Sequence, residues 1–282
     1  MRGRSAALAG LVATLLAPMG AWAADVDVRA PETRVLRSLD TSRDWTVTIG
    51  AEGRVEPIFQ GSSRDVLRPY PIFAVRRSGT PEPFRGPRDG IGIGLIGDSN
   101  FQVGPVGQLA WHRRERMDSS ALRGLGDVPW AVEVGVFGEY WWVPWLRTRA
   151  ELRQGFNGHH GIVADIFVDA VVPVGPQWTL SGGPRITLAS TPAVSPYFSI
   201  NSVQSAASGL PIFDAKGGVR SVGAGTQARY LWTRQFATHA FFEYERLTGD
   251  VASSPLVAQR GNPNQLTFGF GATHSFDIRV PW

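Results

Sequence analysis

Nine charged residues share one alternating pattern and carry both signs: Glu133, Glu139, Arg147, Arg149, Glu151, Arg153, Asp165, Asp169 and Arg185. Facing a common interior, they would either select ions or a small polar solute, or pair across it and brace it. Their near balance of sign favours pairing. Arginine suits that role, because its planar guanidinium forms several ion pairs at once, and Lys216 is the only lysine in the chain. The five histidines are His112, His159, His160, His239 and His274. His159 and His160, close in sequence to Asp165, invite a hydrolytic dyad or a metal site. Adjacent strand residues point to opposite faces, however, and hydrogen bonding within a loop is the plainer reading. With no cysteine there is neither a disulfide framework nor a thiolate site. The glycine runs Gly90 to Gly94 and Gly217-Gly218 lack the strand–turn–helix setting of a phosphate loop. The residues therefore predict no catalytic, cofactor-binding or metal-binding site.

Strands must position these charges. From Trp130 to Trp142 the even positions are Trp130, Val132, Val134, Val136, Gly138, Tyr140 and Trp142, while Glu133, Gly135 and Glu139 fall between them. Such alternation over ten or more residues, with aromatics at both ends, marks a transmembrane barrel strand. Twelve residues at roughly 3.3 Å each, tilted by about 40°, climb on the order of 30 Å, close to a barrel's apolar band with its girdles. In 146–154, Leu146, Thr148, Ala150 and Leu152 alternate with the four charged residues. In 162–174, Ile162, Ala164, Ile166, Val168, Ala170 and Val172 alternate with a face bearing Asp165 and Asp169. An arginine facing lipid near the midplane costs about 2–4 kcal/mol, so the charged face must point inward.

The fold this predicts is all-β, a closed antiparallel transmembrane β-barrel. Strands are placed near 44–53, 66–77, 82–88, 90–97, 101–114, 129–142, 146–155, 161–174, 178–189, 217–233, 235–248 and 264–278. Splitting 82–97 at Asp89-Gly90 gives twelve strands, and ten is the alternative. An even count puts the long segments 115–128, 190–216 and 249–263 outside. Asp98-Ser99-Asn100, Val143-Pro144-Trp145, Gly175-Pro176-Gln177 and Arg234-Gln235 are then short periplasmic turns. The 190–216 loop, with Ser205 and Ser208, is either a plug for the barrel mouth or a surface for a partner. The last strand ends in Phe276, Ile278, Val280 and Trp282, an alternating aromatic-terminated series that resembles the signal read by the barrel-assembly machinery.

The N-terminus carries an address. Arg2 and Arg4 precede an apolar run from Ala6 to Ala17, and Ala21-Trp22-Ala23 offers a small-x-small cleavage site. This is the layout of a secretory signal, with the cut after Ala23. The domains expected are a signal peptide over 1–23, a periplasmic tail over 24–43 and a barrel over 44–282. Of 28 basic residues, removing Arg2 and Arg4 leaves 26 against 24 acidic ones, a surplus of +2. So small a surplus implies no nucleic-acid partner. The 33 glycines and 20 prolines argue against a helical protein.

Four segments then stand out in order: Arg123-Gly124-Leu125-Gly126-Asp127; Gly158-His159-His160-Gly161-Ile162-Val163-Ala164-Asp165; Tyr197-Phe198-Ser199-Ile200 with Gln204-Ser205-Ala206-Ala207-Ser208-Gly209-Leu210-Pro211; and Ser253-Ser254-Pro255-Leu256-Val257 with Gln259-Arg260-Gly261. In these the chain resembles the MipA/OmpV family (MltA-interacting protein). The sequence departs from the family in extending past Phe276 through Asp277 to Trp282, and in its second loop histidine, His160. The resemblance implies a non-catalytic protein of the outer membrane, in contact with its lipid. It further implies a scaffold between a lytic transglycosylase and a peptidoglycan synthase. The alternative from the residues is a narrow channel or transporter for small polar solutes. Neutralising Arg149 separates the two. It is expected to destabilise the barrel more than it alters conductance, and large ion-selective currents in planar bilayers, abolished by that change, would overturn the braced reading.

Overall fold

The computed structural model describes residues 44–78 and 82–279. Twelve antiparallel strands form one sheet: β1 (Asp44–Pro57), β2 (Asp65–Arg77), β3 (Ile91–Gly92), β4 (Ile96–Gly97), β5 (Phe101–Ala110), β6 (Ala131–Val143), β7 (Leu146–Asn157), β8 (Ile162–Val174), β9 (Trp178–Ala189), β10 (Gly218–Leu231), β11 (Phe236–Leu247) and β12 (Asn264–Arg279). Ten of them are long; β3 and β4 are two-residue stubs that both pair with β5. The first strand meets the last, from Asp44 opposite Arg279 to Val55 opposite Phe268. The hydrogen-bonded path therefore runs β2–β1–β12–β11 and so on, hairpin by hairpin, to β5 and its stubs.

No ladder joins β2 to β3 among the described residues. The two ends of the path nevertheless approach each other. Trp111, just past β5, donates its indole N–H to the Tyr70 hydroxyl of β2 at 2.7 Å. The Arg68 guanidinium lies 5.8 Å from the centroid of the same indole. The sheet is thus curled, with its edges tied by side chains where the backbone is not paired.

The expected strand at 82–88 does not exist, and the one at 90–97 is reduced to the stubs. Proline is the cause. Pro83 and Pro87 have no N–H to give a ladder, and Pro105 of β5 cannot return the bond it accepts from Ile93 N at 3.2 Å. The chain instead leaves the wall after β2 and crosses the concave interior.

The connections 111–130, 190–217 and 248–263 gather at one end of the sheet and build a cap. They contain α1 (Thr191–Phe198), α2 (Ser202–Ser208), α3 (Gly249–Ser253) and α4 (Pro255–Arg260). Two apolar clusters fill it. Val194, Phe198, Val251 and Val257 pack over the strand ends at Val163, Ala189 and Leu247, while Leu122, Leu125, Ile200, Leu210 and Leu256 lie beside Phe59. Gly124 has a φ of +77° and approaches α2 so closely that a Cβ would stand 2.6 Å from the Ala207 carbonyl carbon. Only glycine fits there. Gln204 then donates to Leu125 O at 2.8 Å, and Ser254 Oγ to Phe198 O at 2.7 Å. The other end of the sheet has the short turns at 98–100, 144–145, 175–177 and 232–235.

Asp118 organises the 118–122 turn of the cap. Its buried carboxylate accepts from Ser120 Oγ at 2.6 Å, from Ser120 N and Ala121 N at 3.2 Å, and from Arg64 Nη1 at 3.4 Å. Burial pushes this carboxyl up, but those donors and the Arg64 charge outweigh it and hold the group below the ordinary carboxylate value. A depressed pKa gives stability that is complete above the unfolded value and is lost as pH falls through the folded one. Cleavage by pepsin within 115–128, normalised to an unfolded control, should therefore rise sharply below about pH 4. Asp118→Asn should flatten that rise; an unchanged acid limb in the variant would refute the assignment.

Candidate functional site

Alternation on β6 to β9 turns Glu133, Glu139, Arg147, Arg149, Glu151, Arg153, Asp165, Asp169 and Arg185 onto the concave face, where they are brought together. Arg147, fully buried, reaches Asp89 at 2.6 Å, Glu139 at 2.9 Å and Asp169 at 3.2 Å. Arg149 holds Glu151 at 2.8 Å and Glu139 at 3.2 Å, and lies 3.9 Å from the centroid of the Phe137 ring. Arg185 binds Asp169 at 2.6 Å. In register, Glu151 stands directly opposite Asp165, a like-charge pair that is destabilising by itself. Arg153 resolves it by pairing with both, and it also holds Glu133 at 2.9 Å.

The segment 82–90 lies inside this lattice. Glu82 pairs with Arg229 of β10 at 2.6 Å, and the Phe84 ring stands edge-on to Trp141 of β6. Pro87 O accepts from Arg54 of β1 at 3.1 Å. Arg88 lies between Asp165 of β8 at 3.6 Å and Glu245 of β11 at 3.5 Å, and donates to Thr187 of β9 at 3.1 Å. Asp89 binds Arg147 of β7, and Gly90 N donates to Glu151 at 3.0 Å. One segment touches seven strands, which is possible only from within the curl.

His159 is buried and His160 exposed. An acid does approach His159: its Nε2 lies 3.0 Å from Glu133. Gly161 N donates to Nδ1 at 3.3 Å, so Nε2 carries the proton given to Glu133. Neither ring nitrogen is left to act as a base. Gly155 makes the room, since a Cβ there would sit 2.1 Å from the imidazole. The pair clamps the β7–β8 turn to the lumen. Among the described residues no three His, Asp or Glu side chains converge as metal ligands. Phe276 and Ile278 lie on the outward face of β12. Val280, Trp282, the Ala23 cleavage position and the 24–43 tail lie outside the described residues.

Sequence reasoning missed Arg88 and Asp89, Glu52 with His239 at 2.5 Å, and Glu243 and Glu245. The proline density around 83–87 was the available signal for the first pair. It also missed a duplicated motif, Tyr-x-Trp followed after five residues by Thr, at Tyr140, Trp142, Thr148 and at Tyr230, Trp232, Thr238. Both copies fold alike. The rings meet edge to face at 4.8 and 4.6 Å, and the indole N–H donates to the threonine at 2.9 and 3.0 Å.

Residues 49–276 match the family model described as MltA-interacting protein MipA. Among solved structures, the chain is similar to an outer membrane channel of Pseudomonas putida F1, with 11% identity and a TM-score of 0.45 over 83% of this chain and 95% of that one. It is similar also to the NanC porin, with 10% identity and a TM-score of 0.40 over 82% and 98%. A bacterial polysaccharide outer membrane secretin follows with 9% identity and a TM-score of 0.42 over 82% and 98%. No curated protein matches.

The lattice makes a graded prediction. Arg153→Met leaves Glu133, Glu151 and Asp165 short of a partner, and breaking a buried pair costs about 3–5 kcal/mol. Arg229→Met removes only the partly exposed pair with Glu82, worth about 1 kcal/mol or less. Denaturant unfolding in detergent should rank the two that way; equal losses would show the lattice to be incidental.

Proposed function

The chain belongs to the MipA family of MltA-interacting proteins, and from that premise we propose that it is a non-catalytic outer-membrane barrel serving as a scaffold for peptidoglycan machinery. The observation that carries the reading is the filled interior. The side chains that would line a conduit grip one another and the 82–90 segment, and the apolar helical cap lies over one mouth.

The membrane reading rests on the outward face. Val132, Val134 and Val136 are exposed along β6 between the exposed Trp130 and Trp142. The two Tyr–Trp clasps at the turn end, with half or more of each Trp exposed, support that reading, because such aromatics suit an interfacial belt. The partner reading rests on the family description, which names MltA, a lytic transglycosylase. Murein enzymes act in the periplasm, so the turn end and the chain preceding β1 are the proposed contact surfaces. Signal-directed export and assembly by the barrel machinery belong to the same proposal.

Cross-linking in envelopes followed by purification tests it. Recovery of a lytic transglycosylase together with a peptidoglycan synthase is expected, with little solute uptake by liposomes carrying the protein. Rapid uptake of small polar solutes with no murein enzyme recovered would overturn the scaffold in favour of a channel.

A further inference from the structure

The two ends of the hydrogen-bonded path leave a seam in the wall. On its cap side the seam is tied by the Trp111–Tyr70 bond, with Arg68 beside the same indole. From Pro71 to Val75, no ladder and no hydrogen bond joins β2 to the 90–97 stretch among the described residues. Proline accounts for this. A sheet tolerates it only on a free edge, so Pro69 and Pro71 turn toward the seam and withdraw two N–H donors from it. In lipid each unpaired N–H is costly, and the two prolines lower that cost. On the opposite rim Ile93 N and Leu95 N are both taken by β5, at Pro105 O and Val103 O.

The rims are also unlike the rest of the wall. The inward parity of β6 to β9 is charged, but Pro71-Ile72-Phe73-Ala74-Val75 and the stretch from Gly90 to Gly97 hold no polar side chain on either face. Ile72 and Ala74 lie on the inward face of β2, at the parity of Arg68 and Tyr70. A run apolar on both faces marks a strand with apolar material on both sides. On the outside, Leu67, Phe73, Ile91, Ile93 and Leu95 are 61 to 73% exposed, against 37 to 56% for Val132, Val134 and Val136 in the paired wall. The seam is thus an apolar slot, closed toward the cap by Trp111 and Tyr70 and continuous with the outward face.

We propose that the slot holds one acyl chain of a surrounding phospholipid, laid along the seam in contact with Ile72 and Ala74. A lipid tail is as apolar as leucine and has no hydrogen bond to make. An added strand from a second copy would need the donors that Pro69 and Pro71 lack, and a polar solute would find no partner on either rim. The inference rests on the outer-membrane reading and is independent of the scaffold role.

Nuclear Overhauser contacts from acyl-chain methylenes test it, using the full chain, deuterated except at its methyl groups, in phosphatidylcholine nanodiscs. Val134 and Val136, outward on the paired wall, should show such contacts. Ile72 and Ala74 are expected to show them as well although they face inward, whereas Thr187, inward on β9, should show none. Ile72→Asn should remove the Ala74 contact and leave that of Val134 unchanged. Contacts at Val134 with none at Ile72 and Ala74 would overturn the slot while leaving the membrane reading in place. Loss of the Val134 contact too would overturn that reading and the slot with it. Equal contacts at Thr187, or contacts at Ile72 from a differently labelled second copy in place of lipid, would also refute the proposal.

Discussion

A charge removed from water must find a counter-charge within a few ångströms, and the interior of this sheet is arranged around that requirement. An ionised carboxylate in a low-dielectric setting costs several kcal/mol unless it is paired and hydrogen-bonded. The inward face of β6 to β9 carries five carboxylates and four arginines, so none of its members is independent. Register supplies the first level of pairing, with Arg149 across from Glu139 and Arg147 across from Asp169. Where register fails, at Glu151 against Asp165, the length of Arg153 spans the diagonal. Phe137 and Phe167 then lie beneath Arg149 and Arg185. They exclude water from one face of each guanidinium while leaving its edge to the acids.

The same requirement explains why 82–90 is inside. Arg147 is fully buried and has three carboxylates to satisfy, one of them Asp89 from this segment. Asp165 and Glu245 lie on strands three apart in the sheet, and Arg88 at the turn of the segment is the group that reaches both. Proline removes the alternative. A chain with Pro83 and Pro87 could not donate to a wall ladder, and β2 next to it has Pro69 and Pro71. The segment leaves the wall because its backbone cannot pair there, and it stays inside because its side chains can.

Much of this was legible in the sequence, for identifiable reasons. The alternation from Trp130 to Val174 has a period that only a strand can satisfy, and three successive strands agreed on which parity was charged. The bounds of β6 to β9 consequently lie within a residue or two of those expected. The segment 82–88 was misread as a strand because the tertiary demand for Arg88 and Asp89 is written on β7, β8 and β11, far away in the chain, whereas 90–97 does pair with β5 in its two short pieces. Glu243 and Glu245 were missed for a related reason. Their partners are Arg185 on β9 and Arg88 inside the curl, and contacts between segments so far apart cannot be read from β11 alone. The histidine pair was placed at the right edge, but only Gly155 and the Gly161 N–H reveal that the His159 ring is already committed.

The cap and the lattice solve different problems at the two levels of the curled sheet. At the cap end the strand termini expose backbone and apolar side chains together, and short helices cover both. Val257 and Leu256 enter separate clusters from adjacent positions of α4, so one turn of helix joins the two halves of the cap. Below it, apolar filling is impossible because the inward parity is charged, and ion pairing takes over. Glu133 stands at the boundary, shared between Arg153 in the lattice and His159 in the β7–β8 turn. A disturbance in the cap at Gly158 to Gly161 would therefore reach the lattice through a single carboxylate. From that carboxylate the ion pairs run through Arg153 to Glu151 and Asp165 and through Arg88 to Glu245, so the braced interior is continuous from the cap side across to β11.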